Sequence, residues 1–407
     1  MPTARSPLIM LRIFIPFAAG YFVSYLYRVV NAVISPDLVH ELHLDPSGLG
    51  LLTAAYFISF AAAQLPLGVL LDRYGPRRIE GVLLLVAGFG AWWFSQAQDL
   101  TGLIIGRAFI GFGVSACLMA AFTAFVAWFP PGRLPLVNGI QMAAGGMGAL
   151  AATAPVEALL TVTDWRGLFA GLAVLTTAVA VAVFLVVPEK KSPAAGLRLA
   201  DSVTGVVAVF SDARFWRIAP VTVMSQAAFL SIQGLWAGPW LRDVAGLERM
   251  AAAEVLLLVA VSMVAGFLTL GTVASRINSD GRRPFAAPIG GMLMFMTVQA
   301  VVLLRLPVPP ALPWIGFGFF GTSGILSYSA LSQQFPPALA GRVNTGINLL
   351  VFVAAFICQW GIGAIIQRWP AQPGGGFATA GYLAGFAAVL ALQIAAALWF
   401  GLSGRQR

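Results

Sequence analysis

Acidic residues are scarce in this chain, and the few present avoid the middle of its apolar runs. Fifteen Asp and Glu stand against 24 Lys and Arg among 407 residues, for a net charge of +9. Charged residues of both signs make up 10% of the chain, where a soluble domain carries about 25%. That excludes a soluble enzyme built around one ordinary core. A nucleic-acid binder would gather its basic residues on one face. Here they fall in short loops between apolar runs, so no nucleic-acid partner is expected. There are two cysteines, Cys117 and Cys358, both inside apolar runs. They read as small buried side chains, which gives no reason to expect a disulfide or a metal site. The two histidines, His40 and His43, fall in what reads as the first outer loop. No catalytic constellation or cofactor motif is present, so neither an enzyme nor a cofactor is expected.

What the chain has in abundance is hydrophobic residues, at 59%. Apolar runs near the roughly 20 residues that a membrane-crossing helix needs recur from end to end. A β-barrel would show alternating segments of about 10 residues instead. The runs 10–36, 48–71, 79–98, 101–129, 134–160, 166–187, 213–241, 252–275, 285–305, 310–335, 343–368 and 377–402 predict an all-α polytopic membrane protein with twelve spans in the lipid bilayer. The first run is too long for a signal-peptide core and carries Arg28, so it reads as a span. The polar stretch 188–212 divides the chain into an N-terminal six-helix half, 1–187, and a C-terminal six-helix half, 213–407.

Lys and Arg set the expected orientation. With the N-terminus inside, 17 of the 24 fall in inner segments and five in outer ones, while Arg28 and Arg107 lie within spans. Both termini are therefore expected in the cytoplasm. The halves also echo one another. Pro36-Asp37-Leu38 precedes Pro239-Trp240-Leu241 by 203 positions, and Arg133 with Asn138-Gly139 is matched by Arg342 with Asn344 and Gly346.

Between the second and third runs lies Gly68-Val-Leu-Leu-Asp72-Arg73-Tyr-Gly75-Pro-Arg77-Arg78. Charges of this density cannot sit in hydrocarbon, so the turn lies at a membrane face. The pattern G-x-x-x-D-R-x-G-x-R-R resembles the signature loop of the major facilitator superfamily. Gly106-Arg107-Ala-Phe-Ile-Gly111-Phe-Gly113 resembles the family's helix 4 motif, and residues 27–38 are similar to the first helix of bacterial nitrate and organic-anion porters. The resemblance implies a bacterial inner-membrane secondary transporter working by alternating access, usually monomeric, with its substrate site between two pseudo-symmetric halves. It also implies that Gly68, Asp72, Arg73, Gly75, Arg77, Arg78 and Arg342 form a gate, with Asp72 facing the N-terminus of helix 11 and Gly68 and Gly75 permitting close approach and a tight turn. Pro76 and Ser275 depart from the family's usual residues at their positions.

Two arginines inside spans carry the substrate reading. An intramembrane Arg costs about 2.5–3.5 kcal/mol on insertion scales, so it faces a cavity or a partner. Ser24, Arg28, Asn31 and Ser35 form one polar helical stripe beside Tyr25. With Arg107 and no mid-span acid, this stripe predicts a small organic anion as substrate, held by a guanidinium. Tyr56, Gln64, Gln141, Gln226, Gln233, Trp236, Asn348 and Gln359 are expected to line the same site, since amides in a membrane need partners away from lipid. Coupling could run through protons carried with the anion, through exchange, or through Asp37 or His40. Two alternatives stand beside this reading: efflux of amphipathic compounds, suggested by the aromatic seventh run, and a non-transporting solute receptor.

Overall fold

The computed structural model describes residues 7–130, 133–188, 207–277, 285–370 and 376–403. Its helices make twelve spans, with no strand among the described residues. Span 1 joins Pro7–Val29 to Asn31–Leu42. Span 2 is Pro46–Tyr74, span 3 is Pro76–Gln96, and span 4 joins Leu100–Gly113 to Cys117–Trp128. Span 5 joins Leu134–Ala151 to Ala154–Leu159, and span 6 is Trp165–Val186. Span 7 runs through Ala213–Ser231, a π-turn at Ile232–Trp236, and Ala237–Asp243. Span 8 is Arg249–Ile277 and span 9 is Ala286–Leu303. Span 10 passes from Ala311–Gly321 through a tight 3₁₀ turn at Thr322–Ile325 to Leu326–Ser332. Span 11 is Pro337–Ile366 and span 12 is Thr379–Ser403. Ten described stretches are long and apolar enough to cross a membrane, and the broken fifth and tenth spans complete the twelve.

Alternate crossings put Gly75, Arg133 and Arg342 at one face, here called the arginine-rich face. At the opposite face, spans 2, 4 and 6 begin alike. Asp45, Asp99 and Asp164 each accept a hydrogen bond from the glycine amide three residues on, at 2.6–2.7 Å. A carboxylate at this position satisfies an orphan N–H and complements the positive helix end. Three of the scarce acids are thus structural caps.

Within the first half, span 3 packs on spans 4 and 6, span 2 on span 4, and span 1 on span 5. In the second, span 10 packs on spans 8 and 9, and span 7 on spans 11 and 12. The halves meet along spans 2 and 11, 5 and 8, and 1 and 7. Small residues permit the closest of these crossings. A Cβ on Gly148 of span 5 would lie 2.0 Å from the Phe22 carbonyl of span 1, and one on Gly238 of span 7 would lie 2.1 Å from the Ala32 carbonyl.

Span 1 corrects two sequence expectations. Its helix continues past Pro36 to Leu42, so His40 stands on its last turn and is not in a loop. His43 closes the helix in a left-handed conformation, φ 50°. Most of the polar stretch between the halves, 189–206, lies outside the described residues.

Candidate functional site

A cavity of about 520 Å³ opens between the two halves. Spans 1, 2, 4 and 5 form one wall, and spans 7, 8, 10 and 11 the other. Helical regularity fails where two of these walls need it to. The breaks at Val114–Ser115 in span 4 and Thr322–Ile325 in span 10 both face the cavity. Interrupted helices supply backbone groups and irregular contours at such sites in membrane carriers. The lining descends through Asn348 and Asn344 to Gly341 and Ser332, at the arginine-rich ends of spans 11 and 10.

The inner end of the cavity is built around Arg28. Its guanidinium carbon lies 4.5 Å from the centroid of Tyr25, 5.3 Å from Phe352 and 5.6 Å from Phe60. Phe60 of span 2 and Phe352 of span 11 stack at 4.0 Å, so each half contributes one ring. The ion pairs among the described residues lie elsewhere, and Arg28 Nε has no hydrogen-bond partner. Aromatic faces soften the cost of a buried cation, yet they leave Nε without an acceptor.

The polar groups around it largely satisfy one another. Asn348 donates to Gln64 Oε1 at 2.9 Å across the two halves, and Gln226 donates to the Gly321 carbonyl at 3.0 Å. The Tyr328 hydroxyl reaches Asn348 Oδ1 at 3.5 Å, and the Tyr21 hydroxyl reaches the Met142 sulfur at 3.7 Å.

Beyond Arg28 the halves are shut. Arg249 of span 8 pairs with Asp37 of span 1 at 2.5 Å. Its Nε also lies 2.6 Å from Glu157 of span 5, close enough for an ion pair but not aligned as a hydrogen bond. Gln367 donates to Asp45, and Trp360 to Ser47, between spans 11 and 2. From Arg28 to Asp37 is about 14 Å by helix rise, and this is the depth of the plug.

That plug explains how the expected site residues divide. Ser24, Tyr25, Arg28, Gln64, Gln226 and Asn348 line the cavity. Asn31, Gln233, Trp236 and Gln359 are buried on its closed side. Asn31 donates to Thr53, Gln233 to the Met263 sulfur, and Trp236 to the Gln359 carbonyl. Both side-chain polar atoms of Gln359 and the oxygen of Asn31 have no partner. Of the stripe on span 1, Ser24 and Arg28 reach the cavity and Asn31 faces the closed seam.

Arg107, Tyr56 and Gln141 stand behind the wall. Arg107 is fully buried and donates to the Tyr27 carbonyl at 2.9 Å. Tyr56 donates to the Ser24 carbonyl at 3.3 Å and lies between the two arginines, 5.8 Å from Arg107 and 6.0 Å from Arg28. Gln141 ties span 5 to the Phe17 carbonyl at 3.0 Å. The wall residues missed from sequence are mostly on spans 4 and 10, among them Ser115, Met119, Thr322 and Tyr328. The polar run Thr322-Ser323-Gly324 inside an apolar segment was the one available signal.

In the loop between spans 2 and 3, Gly75 adopts φ 81°, the conformation for which glycine was expected. The expected close approach at Gly68 is not found: among the described residues nothing lies within 4 Å of its missing side chain. Arg73 lies over the Tyr74 ring at 5.3 Å, and Arg77 donates to the Phe184 carbonyl at the end of span 6. The Asp72 side chain lies outside the described residues, and Arg342 is partly buried on the first turns of span 11. Nearby is a feature not anticipated from sequence. Glu80, one turn into span 3, is fully buried, and neither of its oxygens has a partner. Its Oε1 sits against bare Gly20 of span 1.

The family model described as Major Facilitator Superfamily matches residues 17–359. The chain is 24% identical to the "probable sulfoacetate transporter" of Cupriavidus necator over 379 residues, covering 86% of this chain and 85% of that one. It is 26% identical to the nitrate/nitrite transporter of Nostoc punctiforme over 205 residues, 48% of this chain and 40% of the relative. Among solved structures, a bacterial homologue of the human lysosomal transporter Spinster, inward-facing and unoccupied, superimposes with a TM-score of 0.77 at 16% identity, covering 99% and 98% of the two chains.

Proposed function

The chain belongs to the major facilitator superfamily, a family of secondary transporters, and from that premise we propose that it carries a small organic anion across the bacterial inner membrane by alternating access. The observation that carries this reading is Arg28, a buried guanidinium at the end of an interhalf cavity that no carboxylate among the described residues pairs with. A carboxylate or sulfonate on that guanidinium would supply the acceptor that Nε lacks, in a charge-assisted, bidentate contact. Relatives named for sulfoacetate and for nitrate and nitrite agree in the sign of the charge.

The arginine-rich face is the cytoplasmic one by the positive-inside rule, with both termini on that side. The cavity is then open inward, and the Arg249–Asp37–Glu157 cluster is the shut outer gate. Rocking of residues 1–187 against 213–407 would part the gate and expose Asn31, Gln233, Trp236 and Gln359 to the outside. In that state the loop from Gly68 to Arg78 would seal the inner face against span 11 near Arg342. Protons carried with the anion are the proposed coupling, since Asp37 is engaged in the gate.

The test is equilibrium binding to purified protein from a panel of carboxylates, sulfonates, phosphates and lipophilic cations. Anion binding that is lost in Arg28→Ala supports the reading. Anion binding of equal strength in Arg28→Ala removes Arg28 from the site. Binding of cations alone replaces this reading with efflux of amphipathic compounds. Accumulation of a bound anion in proteoliposomes separates a carrier from a receptor.

A further inference from the structure

We propose that the cavity is built for a monoanion with a flat aromatic body, an aryl carboxylate or aryl sulfonate, in preference to an inorganic anion or a polyhydroxylated acid. The inference rests on the anion reading above and narrows it.

The charge of the ligand follows from the lining. Arg28 is the one charged residue among the described residues that line the cavity. One guanidinium neutralises one carboxylate or sulfonate. A second negative charge would be buried unpaired, which is strongly unfavourable.

The body of the ligand follows from the walls. Eight of the 25 described residues that line it are aromatic, against 12% of the whole chain. The aromatics concentrate where the charge is. Tyr25, Phe60 and Phe352 all have ring centroids within 5.6 Å of the guanidinium carbon. A planar ring attached to the anionic group would meet these faces and gain offset or edge contacts beyond simple burial. The volume of about 520 Å³ is far more than a bare inorganic anion fills. Such an ion would also have to shed its hydration shell for a single cationic partner.

The polar groups argue against a sugar acid. A polyhydroxylated ligand needs a donor or acceptor for each hydroxyl it buries. Here Gln64 and Asn348 are bonded to each other, Gln226 is spent on the Gly321 carbonyl, and the Tyr21 and Tyr328 hydroxyls already have acceptors. Asn344 Oδ1 is a buried acceptor without a partner, enough for one ligand hydroxyl but not for the several of a sugar acid. Displacing these bonds returns little net energy, and leaving ligand hydroxyls unpaired costs affinity.

The experiment uses the full-length protein in detergent and isothermal titration with benzoate, benzenesulfonate, cyclohexanecarboxylate, acetate, nitrate and gluconate. Benzoate and benzenesulfonate are expected to bind at least about tenfold more tightly than acetate, nitrate or gluconate. Cyclohexanecarboxylate has the same charge and a similar size but no flat face, and should fall between. Phe352→Leu should weaken benzoate by about three- to tenfold and acetate by less than about twofold. Phe352→Tyr keeps the ring and should retain benzoate binding. Tighter binding of gluconate or nitrate than of benzoate overturns the inference while leaving the anion reading intact. Equal weakening of benzoate and acetate in Phe352→Leu overturns the role given to the ring. Binding by none of the six anions overturns both.

Discussion

Arg249 of span 8 grips both oxygens of Asp37 of span 1, Nη1 to Oδ1 at 2.7 Å and Nη2 to Oδ2 at 2.5 Å, across the seam between the halves. The two residues are 212 positions apart in the chain. An arginine planar enough for this two-pronged contact also presents Nε to Glu157, so a single side chain ties spans 1, 5 and 8 together. Arg249 and Asp37 are each about a third exposed, so water screens their contact, while Glu157 is buried behind them. The pair is thus suited to a latch that opens in each cycle.

Arg249→Gln should therefore loosen the outer seam without unfolding the protein. A half-exposed pair of this kind contributes about 1 kcal/mol, which moves a two-state ratio roughly fivefold. The measurement is labelling of a cysteine placed at Gln359, in a background lacking Cys117 and Cys358, by a membrane-impermeant maleimide from the opposite face. Faster labelling in Arg249→Gln is expected. An unchanged rate would show that packing alone holds the seam.

Gly238→Ala should act in the same direction by a steric route. Its new Cβ would stand 2.1 Å from the Ala32 carbonyl, which belongs to the other half. Backbone cannot yield as a flexible side chain does, so the clash penalises only the conformation in which spans 1 and 7 meet this closely. Gly148→Ala, 2.0 Å from Phe22 within the same half, should instead lower thermal stability in every state. Similar labelling rates at residue 359 for Gly238→Ala and wild type would refute the state-specific effect.

Arg107→Lys distinguishes a wall support from a ligand-binding group. Arg107 is fully buried, away from the cavity lining, and its one protein bond in the described structure goes to the Tyr27 carbonyl. The substitution should lower the melting temperature, with about 1–3 kcal/mol lost if the Tyr27 carbonyl is left bare. Affinity for the anion bound by wild type should stay within about twofold. A large loss of affinity with unchanged stability would put Arg107 back in the site.

Glu80→Leu should raise the melting temperature. The native carboxyl is fully buried without a partner for either oxygen, an arrangement that costs roughly 1–3 kcal/mol, and leucine fills a comparable volume. If the variant instead keeps its stability and loses transport, the carboxyl has a role in the cycle that offsets its cost.

The fold was legible because each of its determinants is local or periodic. Apolar runs of membrane-crossing length, arginines biased to alternate loops, and the turn at Gly75 are read without knowing which helices touch. The three Asp-x-x-Gly caps at Asp45, Asp99 and Asp164 are equally local. Arg28 could also be found this way, since a cation in an apolar run must face something other than lipid.

The sequence alone therefore determined the twelve crossings, the arginine-rich face and the candidate anion anchor. Only the tertiary structure separated Arg28 from Arg107, two arginines of the same kind in similar runs, because one ends at the cavity and the other behind Tyr56. Only tertiary structure divided the polar stripe at Arg28, since whether Asn31 or Gln359 meets water or a neighbouring helix depends on which face of the interhalf seam is shut. The same holds for Glu80, whose place one turn past a charged loop gives no hint that Gly20 of another helix covers it. Periodicity records which residues share a face of a helix. What that face meets is set by packing between segments hundreds of residues apart, and in an alternating carrier it changes with the state.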